Sequence, residues 1–423
     1  MVLINIIVIV YLLATFAPLL TYVLNKIYTK KIYKTKVKKY IDIFVLLPAY
    51  KEQKIVETTV EWFRKFKYKG NIKFVIVTTN KEDVEYKSKG IKDLTTQKVV
   101  KNKLKDINDS RFKHIHYPKN VGNKSSQMNY ALSKLKKDFN EDTFISVFDF
   151  DSKPELDTFE NLNKVYMCNN KPDVINQVPL NIKNFEDISK KSIIMMIYTF
   201  QHLVRSIAIE KLKLLICSLT KFKIPQYCMG ACMHIKYKVL EENNYFPIFV
   251  DDLTLGYRLS IKGYRFAYLP SLNLSLIPNN IKGYVGSATL IFKGICTYLN
   301  EILNIKGNLY RKIKMFIFGT FNVIEFIIVP FIFVLAYLYM IINLRINSLL
   351  VTMLLIPILW SISSYLVIRY YKIKSQNKFN LILSILLSPI WFIFRPLGFI
   401  RYYIKKIISV LKNSNIDYGK TER

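Results

Sequence analysis

A chain of 423 residues has room for one substantial soluble core plus several membrane spans, and its hydrophobic share of 51% is gathered mainly at the two ends. The formal net charge is +33, yet no helix-turn-helix, zinc-finger or RNA-recognition signature accompanies it, so nucleic acid is set aside as a partner. Five cysteines (Cys168, Cys217, Cys228, Cys232, Cys296) form no disulfide framework, and no second pair at ligand spacing completes a zinc site, which suits a reducing compartment.

In chain order, residues 2–24 carry no charge and are long enough to cross a hydrocarbon core of about 30 Å. The run is too long for a cleaved signal peptide, and it lacks a basic leader and a small-residue cleavage site. Lys26, Lys30, Lys31, Lys34, Lys36, Lys38 and Lys39 follow with no acid among them, so this flank is expected on the cytoplasmic side, against anionic headgroups. From Tyr40 to about 280 the pattern alternates. Apolar runs at 43–50, 73–80, 111–118 and 143–151 read as buried strands, and 54–66 and 124–137 as helices. Fully apolar strands separated by helices predict a doubly wound, mostly parallel α/β sheet, with ligands at the carboxyl edge of its strands. The stretch 190–223 reads either as a core helix of that domain or as a helix on a membrane surface, and 281–313 as interfacial. Apolar stretches at roughly 316–343, 348–369 and 380–400 make a C-terminal membrane region over 314–402 with two to three spans, followed by a basic tail over 403–423. Basic residues flank the last stretch on both sides, so it is a re-entrant hairpin or its tail lies outside against the charge rule.

The sharpest chemical signal is Asp149-Phe150-Asp151 at the end of an apolar run. Residues i and i+2 of a strand face one side, so two hard carboxylates would meet one spot suited to Mg²⁺ or Mn²⁺ shared with a diphosphate. A second acidic pair, Asp251-Asp252, opens a helical segment. There Asp252 is a general-base candidate, and Asp251 either orients it or caps the helix.

Several segments, taken in order, resemble the family 2 glycosyltransferases, especially the membrane-bound relatives of cellulose, hyaluronan and chitin synthases. They are LPAYKE (47–52), NK…NYAL (123–132), DFD (149–151), QVP (177–179), YCMGA (227–231), VDDLTLGYRL (250–259) and GYR (263–265). The resemblance implies a GT-A-like nucleotide-sugar domain over 40–280, facing the cytoplasm behind an N-terminal membrane helix (1–25). It implies that Ala49, Tyr50 and Glu52 lie by the nucleoside and Lys124 near the diphosphate, with Asp149 on the nucleotide sugar and Asp149 and Asp151 at the metal. Cys228, Met229 and Gly230 would meet the acceptor, and Asp252, with Asp251 beside it, would supply the base. Two departures stand out. The base-holding acid expected after the second strand is missing, leaving Glu82 or Thr78 as substitutes, and the Q-x-x-R-W segment of processive synthases is replaced by Gly286–Ile291. The expected activity is therefore an inverting transfer from a nucleotide sugar to a lipid-linked or glycolipid acceptor in surface glycan synthesis. A processive synthase and an inactive scaffold of the same fold are the alternatives.

Overall fold

The computed structural model describes residues 15–169, 171–180, 192–220, 224–248, 250–276, 278, 280–343, 351, 355–356, 358–363, 365–366 and 378–411. The chain divides into a sheet unit, Tyr28–Pro179 with Cys217–Ser275, and a helical unit, Met1–Ile27, Leu180–Ile216 and Leu276–Arg423.

After helix α1 (Ala17–Lys34), the sheet unit runs β1 (Ile43–Pro48), α2 (Val56–Arg64), β2 (Ile72–Thr79), α3 (Asn80–Ser88), α4 (Thr96–Ile107), β3 (Phe112–Tyr117), α5 (Lys124–Leu135), β4 (Phe144–Phe148), β5 (Lys153–Pro154), α6 (Thr158–Cys168) and β6 (Val174–Leu180). The strands form one sheet in the order β3-β2-β1-β4-β7-β6-β8-β5, with β7 (Cys232–Lys236) and β8 (Phe266–Leu274) contributed later in the chain. Side chains alternate along each strand, so β2 and β4 each serve two cores. Phe74 and Phe148 meet Phe63 of α2 and Phe159 of α6, whereas Val75, Val77, Ile145 and Val147 pack with Met128, Leu132 and Leu135 of α5. Covering both faces is what makes these strands apolar throughout.

The expectation of a mostly parallel sheet holds for β3-β2-β1-β4 only. Beyond β4 the pairings of β7 with β4, β6 with β7 and β5 with β8 are antiparallel, so the sheet is mixed. The reason the antiparallel half was not read is chemical. Its strands bury polar side chains that break the apolar signal, and these make hydrogen bonds with at least one of their polar atoms. Asn176 Nδ2 donates to Tyr227 O at 2.8 Å, Gln177 Nε2 to Ser271 O at 2.9 Å, and His234 Nδ1 meets Ser146 Oγ at 2.7 Å.

The helical unit contains α7 (Ile193–Arg205), which passes through a π turn (Ser206–Glu210) into α8 (Lys211–Leu219). Of the stretch 190–223, expected to be a core helix of the domain or a helix on a membrane surface, the described part up to Ile216 groups with the C-terminal helices and the part from Cys217 with the sheet unit. After α9 (Tyr237–Glu242) and α10 (Asp251–Lys262) of the sheet unit come α11 (Ile281–Cys296), α12 (Tyr298–Asn304), α13 (Leu309–Val323) and, after a second π turn, α14 (Val329–Asn343). Among the described residues, Leu309–Leu335, of 27 residues, is the one helical stretch long and apolar enough to cross a membrane. The expected stretch at 380–400 is broken into α15 (Lys378–Leu386), a short turn at Ser388–Ile390, α16 (Trp391–Phe394) and α17 (Leu397–Leu411). Pro389 and Pro396 each withdraw a backbone donor there. One face of α11, expected to be interfacial, is covered by protein: Thr289 Oγ1 donates to Gly398 O of α17 at 3.2 Å. Most of the apolar run 2–24, much of 348–369 and the tail from 412 lie outside the described residues.

Candidate active site

The carboxyl edge of the parallel half gathers two groups of the expected residues. The first surrounds the loop after β1. Ala49 is buried and its N–H continues the ladder to Val77 O at 2.8 Å. Lys51 then takes the left-handed conformation, φ 58°, which a lysine rarely adopts unless held. Glu82 holds it. One carboxylate oxygen accepts the Lys51 N–H at 2.8 Å, and the other accepts the N–H and hydroxyl of Thr96 at 2.8 and 2.9 Å. The Thr96 hydroxyl in turn accepts the Glu52 N–H at 2.9 Å. Buried Glu82 is thereby engaged in pinning this loop to the start of α4. Tyr50 donates its hydroxyl to Glu85 at 2.6 Å, beside Lys51 and Lys89 on the same carboxylate at 2.7 Å each, and these bonds lower Glu85 to about 2. Thr78 is buried with its hydroxyl between His114 Nε2 at 2.8 Å and His116 Nδ1 at 2.9 Å.

The second group is acidic and lies past β4. Asp149 and Asp151 are half-buried and Phe150 between them is buried, but all three lie past the end of β4, in a turn closed by the Ser152 N–H on Asp149 O at 2.9 Å, so the strand alternation expected to turn both carboxylates to one side does not extend to them. Lys124 is the first residue of α5, whose start is fixed by a capping box between Asn123 and Ser126. From there its ammonium donates to Asp149 Oδ1 at 2.8 Å and to Gly230 O at 2.7 Å. The Gly230 N–H donates to Asp252 Oδ2 at 3.0 Å, and Asp252 Oδ1 accepts the Leu253 N–H at 2.8 Å. A single residue, Gly230, thus helps link the acid past β4 to the helix-start acid through the two peptide groups that flank it. A Cβ on residue 230 would sit 2.4 Å from Asp252 Oδ2, so only glycine allows this approach. Cys228 is buried against the same helix, its N–H on Asp252 O at 3.2 Å, and Met229 N–H reaches Asn176 Oδ1 at 3.4 Å.

Electrostatics ties the group together. Burial pushes Asp252 up to about 7, reinforced by Asp251; Lys124 and the two backbone N–H groups pull the other way. Asp251 is also raised, by burial first and with a contribution from Asp149. Burial opposes the charge on Lys124, but Asp149 and Asp251 outweigh it and its pKa rises. Asp251 and Asp252 start α10, where the helix dipole favours their anionic forms. Val250, just before them, has φ 45°, a strained conformation for a β-branched residue. Burial raises the Cys228 thiol well above its usual range, so it is a packing group in the resting site.

Among the described residues no cluster of three or more His, Cys, Asp or Glu side chains forms a metal site. A divalent cation nevertheless fits the donor chemistry. Three carboxylates, Asp149, Asp251 and Asp252, act on one ammonium, Asp149 acts on Asp251 and Asp251 on Asp252, and buried Asp251 Oδ2 has no hydrogen-bond partner among the described residues. Hard oxygens in net negative excess suit Mg²⁺ or Mn²⁺, with further ligands from a bound diphosphate.

Gly256, within the VDDLTLGYRL segment, lies buried inside α10. A Cβ there would lie 2.2 Å from Tyr227 Cα and 2.3 Å from Cys228 N, so this glycine lets the 227–231 turn rest on α10. Its signal is a glycine inside a helix, which costs about 1 kcal/mol and marks a close approach.

No family model matches this sequence, and no curated protein matches it. Among solved structures, the chain is similar to a mannosyltransferase from Pyrobaculum calidifontis in complex with GDP-Man and Mn2+. The TM-score is 0.50 and the identity 14%, over 97% of this chain and 100% of the other. At that identity the likeness concerns the fold.

Proposed function

We propose that the sheet unit is an inverting glycosyltransferase that moves a sugar from a nucleotide sugar to a membrane-associated acceptor, lipid-linked or glycolipid. The observation that carries this reading is the run of hydrogen bonds from Asp149 through Lys124 and Gly230 to Asp252, beside the carboxyl end of β4. The fold it shares with a mannosyltransferase adds weight, and makes guanosine nucleotide sugars the first donors to test.

In this reading Asp149 and Asp151 hold Mg²⁺ or Mn²⁺, which when bound offsets charge on the departing diphosphate. Lys124 is a fixed cation beside the same diphosphate. The Ala49–Glu52 loop, kept in shape by Glu82, forms one wall for the nucleoside, with Thr78 behind it. Asp252 is the base. Each of its oxygens already accepts one backbone N–H, which fixes the carboxylate's orientation and leaves lone pairs for an acceptor hydroxyl. Inversion needs that hydroxyl deprotonated on the face opposite the leaving group, a contribution of about 10²–10⁴-fold from general-base catalysis. Asp251 keeps the pair's proton affinity high, and the Cys228-Met229-Gly230 turn meets the acceptor. The lysines between Lys26 and Lys39 and the apolar helix Leu309–Leu335 support a membrane location with this unit on the cytoplasmic side.

The test is transfer of label from a nucleotide-sugar panel to membrane lipids, with Mn²⁺ or Mg²⁺. Asp252→Asn is expected to abolish turnover and keep nucleotide binding. Nucleotide binding with no turnover in the unmodified protein, across all donors and acceptors, would leave the inactive scaffold standing. Product length separates single transfer from a processive synthase, which the absence of Q-x-x-R-W at Gly286–Ile291 disfavours.

A further inference from the structure

The helical unit encloses a cavity of about 110 Å³ whose lining joins aromatic rings to buried charges. Tyr198, Tyr284 and Trp391 pack together on one side, with Tyr198 stacked on Trp391 at 5.1 Å between centroids. Against them stands Glu325, whose Oε1 accepts from Arg205 Nη1 at 3.1 Å and from Arg395 Nη2 at 3.0 Å. Both guanidinium groups lie over the Phe326 ring, at 4.0 and 4.5 Å. Arg205 reaches Glu210 with its other arm, but Lys213 offsets that carboxylate at 3.3 Å. The lining therefore carries two cations against one anion.

Two valences remain. Glu325 Oε2 is buried without a hydrogen-bond partner among the described residues, and Arg395 has no partner there beyond Glu325 Oε1 for its remaining N–H groups. A buried acceptor without a donor is costly to keep, and a ligand that donates to it gains accordingly. A ligand that satisfies both must accept from a guanidinium and donate to a carboxylate. A phosphomonoester monoanion does both, through its bare oxygens and its remaining P–OH. A neutral alcohol lacks the charge, and a phosphodiester lacks the proton.

We propose that this cavity binds a phosphomonoester-headed lipid, with the head on Arg395 and Glu325 and the first part of its chain along Tyr198, Tyr284 and Trp391. The site is built wholly from the helical unit and stands whether or not the sheet unit transfers sugar.

Of the three tryptophans, Trp360 and Trp391 line the cavity and Trp62 belongs to the sheet unit, so the full chain carrying Trp62→Phe reports on the cavity alone. In detergent at pH 6, a dodecyl phosphate brominated on its chain is expected to quench this fluorescence saturably. The matching methyl diester and the brominated alcohol should each need about tenfold more for half-saturation, and Arg395→Gln should weaken the phosphate by about tenfold. Arg395→Lys, which keeps the pairing with Glu325 but not the planar fork, should fall between and serves if the Gln variant does not fold. Inorganic phosphate should fail to displace the lipid. Absence of saturable quenching, equal binding of the alcohol or the diester, indifference to both Arg395 variants, or displacement by millimolar inorganic phosphate would each overturn the assignment.

Discussion

At the scale of single residues, the acidic pair at the start of α10 sets the pH behaviour. Asp252 is raised to about 7, by burial first and then by Asp251, so the base form is lost as pH falls through that value. We expect kcat/KM to drop about tenfold per pH unit on the acid side, with an apparent pKa that belongs to the pair. Asp251→Asn removes the neighbouring charge and should move that limb to lower pH, with the basic side unchanged; a limb that stays in place would mean the two carboxylates are not coupled. Stability runs the opposite way. The folded pKa lies above the unfolded one, so Asp252 stabilises the fold while protonated and that contribution is lost as pH rises from the unfolded value, about 3.9, through about 7. Chemical denaturation at two pH values checks the sign. Part of this site was legible in the sequence. A carboxylate pair after an apolar run is a local pattern, and so is an acidic pair opening a helix. The Gly230–Asp252 contact spans 22 residues and has no local signature. The commitment of Glu82 to Lys51 and Thr96 is hidden for the same reason, since the partners lie 31 and 14 residues away.

At the scale of elements, β1, β2 and β4 could be read because both their faces are covered by helices and continuous apolar runs result, whereas β3, at the edge of the sheet, alternates polar and apolar residues. Strands β5 to β8 escaped because Asn176, Gln177, His234 and Ser271 sit among their buried residues, and β5 has two residues. Those polar groups are not incidental: Asn176 holds Tyr227 O and meets the Met229 N–H, so a strand of the antiparallel half braces the turn that carries Gly230. The opposite support is α10, through Gly256. Gly256→Ala gains up to about 1 kcal/mol of helix propensity but must move Tyr227 and Cys228, a backbone shift worth about 1–3 kcal/mol. The net expectation is a small loss of stability with a larger loss of kcat, because the Gly230 N–H leaves Asp252. Calorimetric unfolding beside steady-state kinetics separates the two. Equal kcat in a variant that folds would show that the turn does not depend on this contact.

At the scale of the whole molecule, two forces are candidates for holding the chain to a membrane, and they answer differently to solvent. The lysines from Lys26 to Lys39 attract anionic headgroups by about 1 kcal/mol each, an interaction screened beyond about 3 Å in molar salt. The helix Leu309–Leu335 has 27 residues, about 40 Å at 1.5 Å per residue, which exceeds a hydrocarbon core of about 30 Å. Glu325 lies within it but is paired with Arg205 and Arg395, so its charge does not face lipid alone. If that helix spans, neither molar salt nor alkaline carbonate should release the chain from native membranes, and detergent should. Replacing the seven lysines with glutamine should then change the orientation of the first segment and leave the attachment intact, as labelling of single cysteines from either side would reveal. Release by molar salt alone would mean that the chain lies on the lipid surface through its basic flank, and that the apolar stretch is satisfied within the protein.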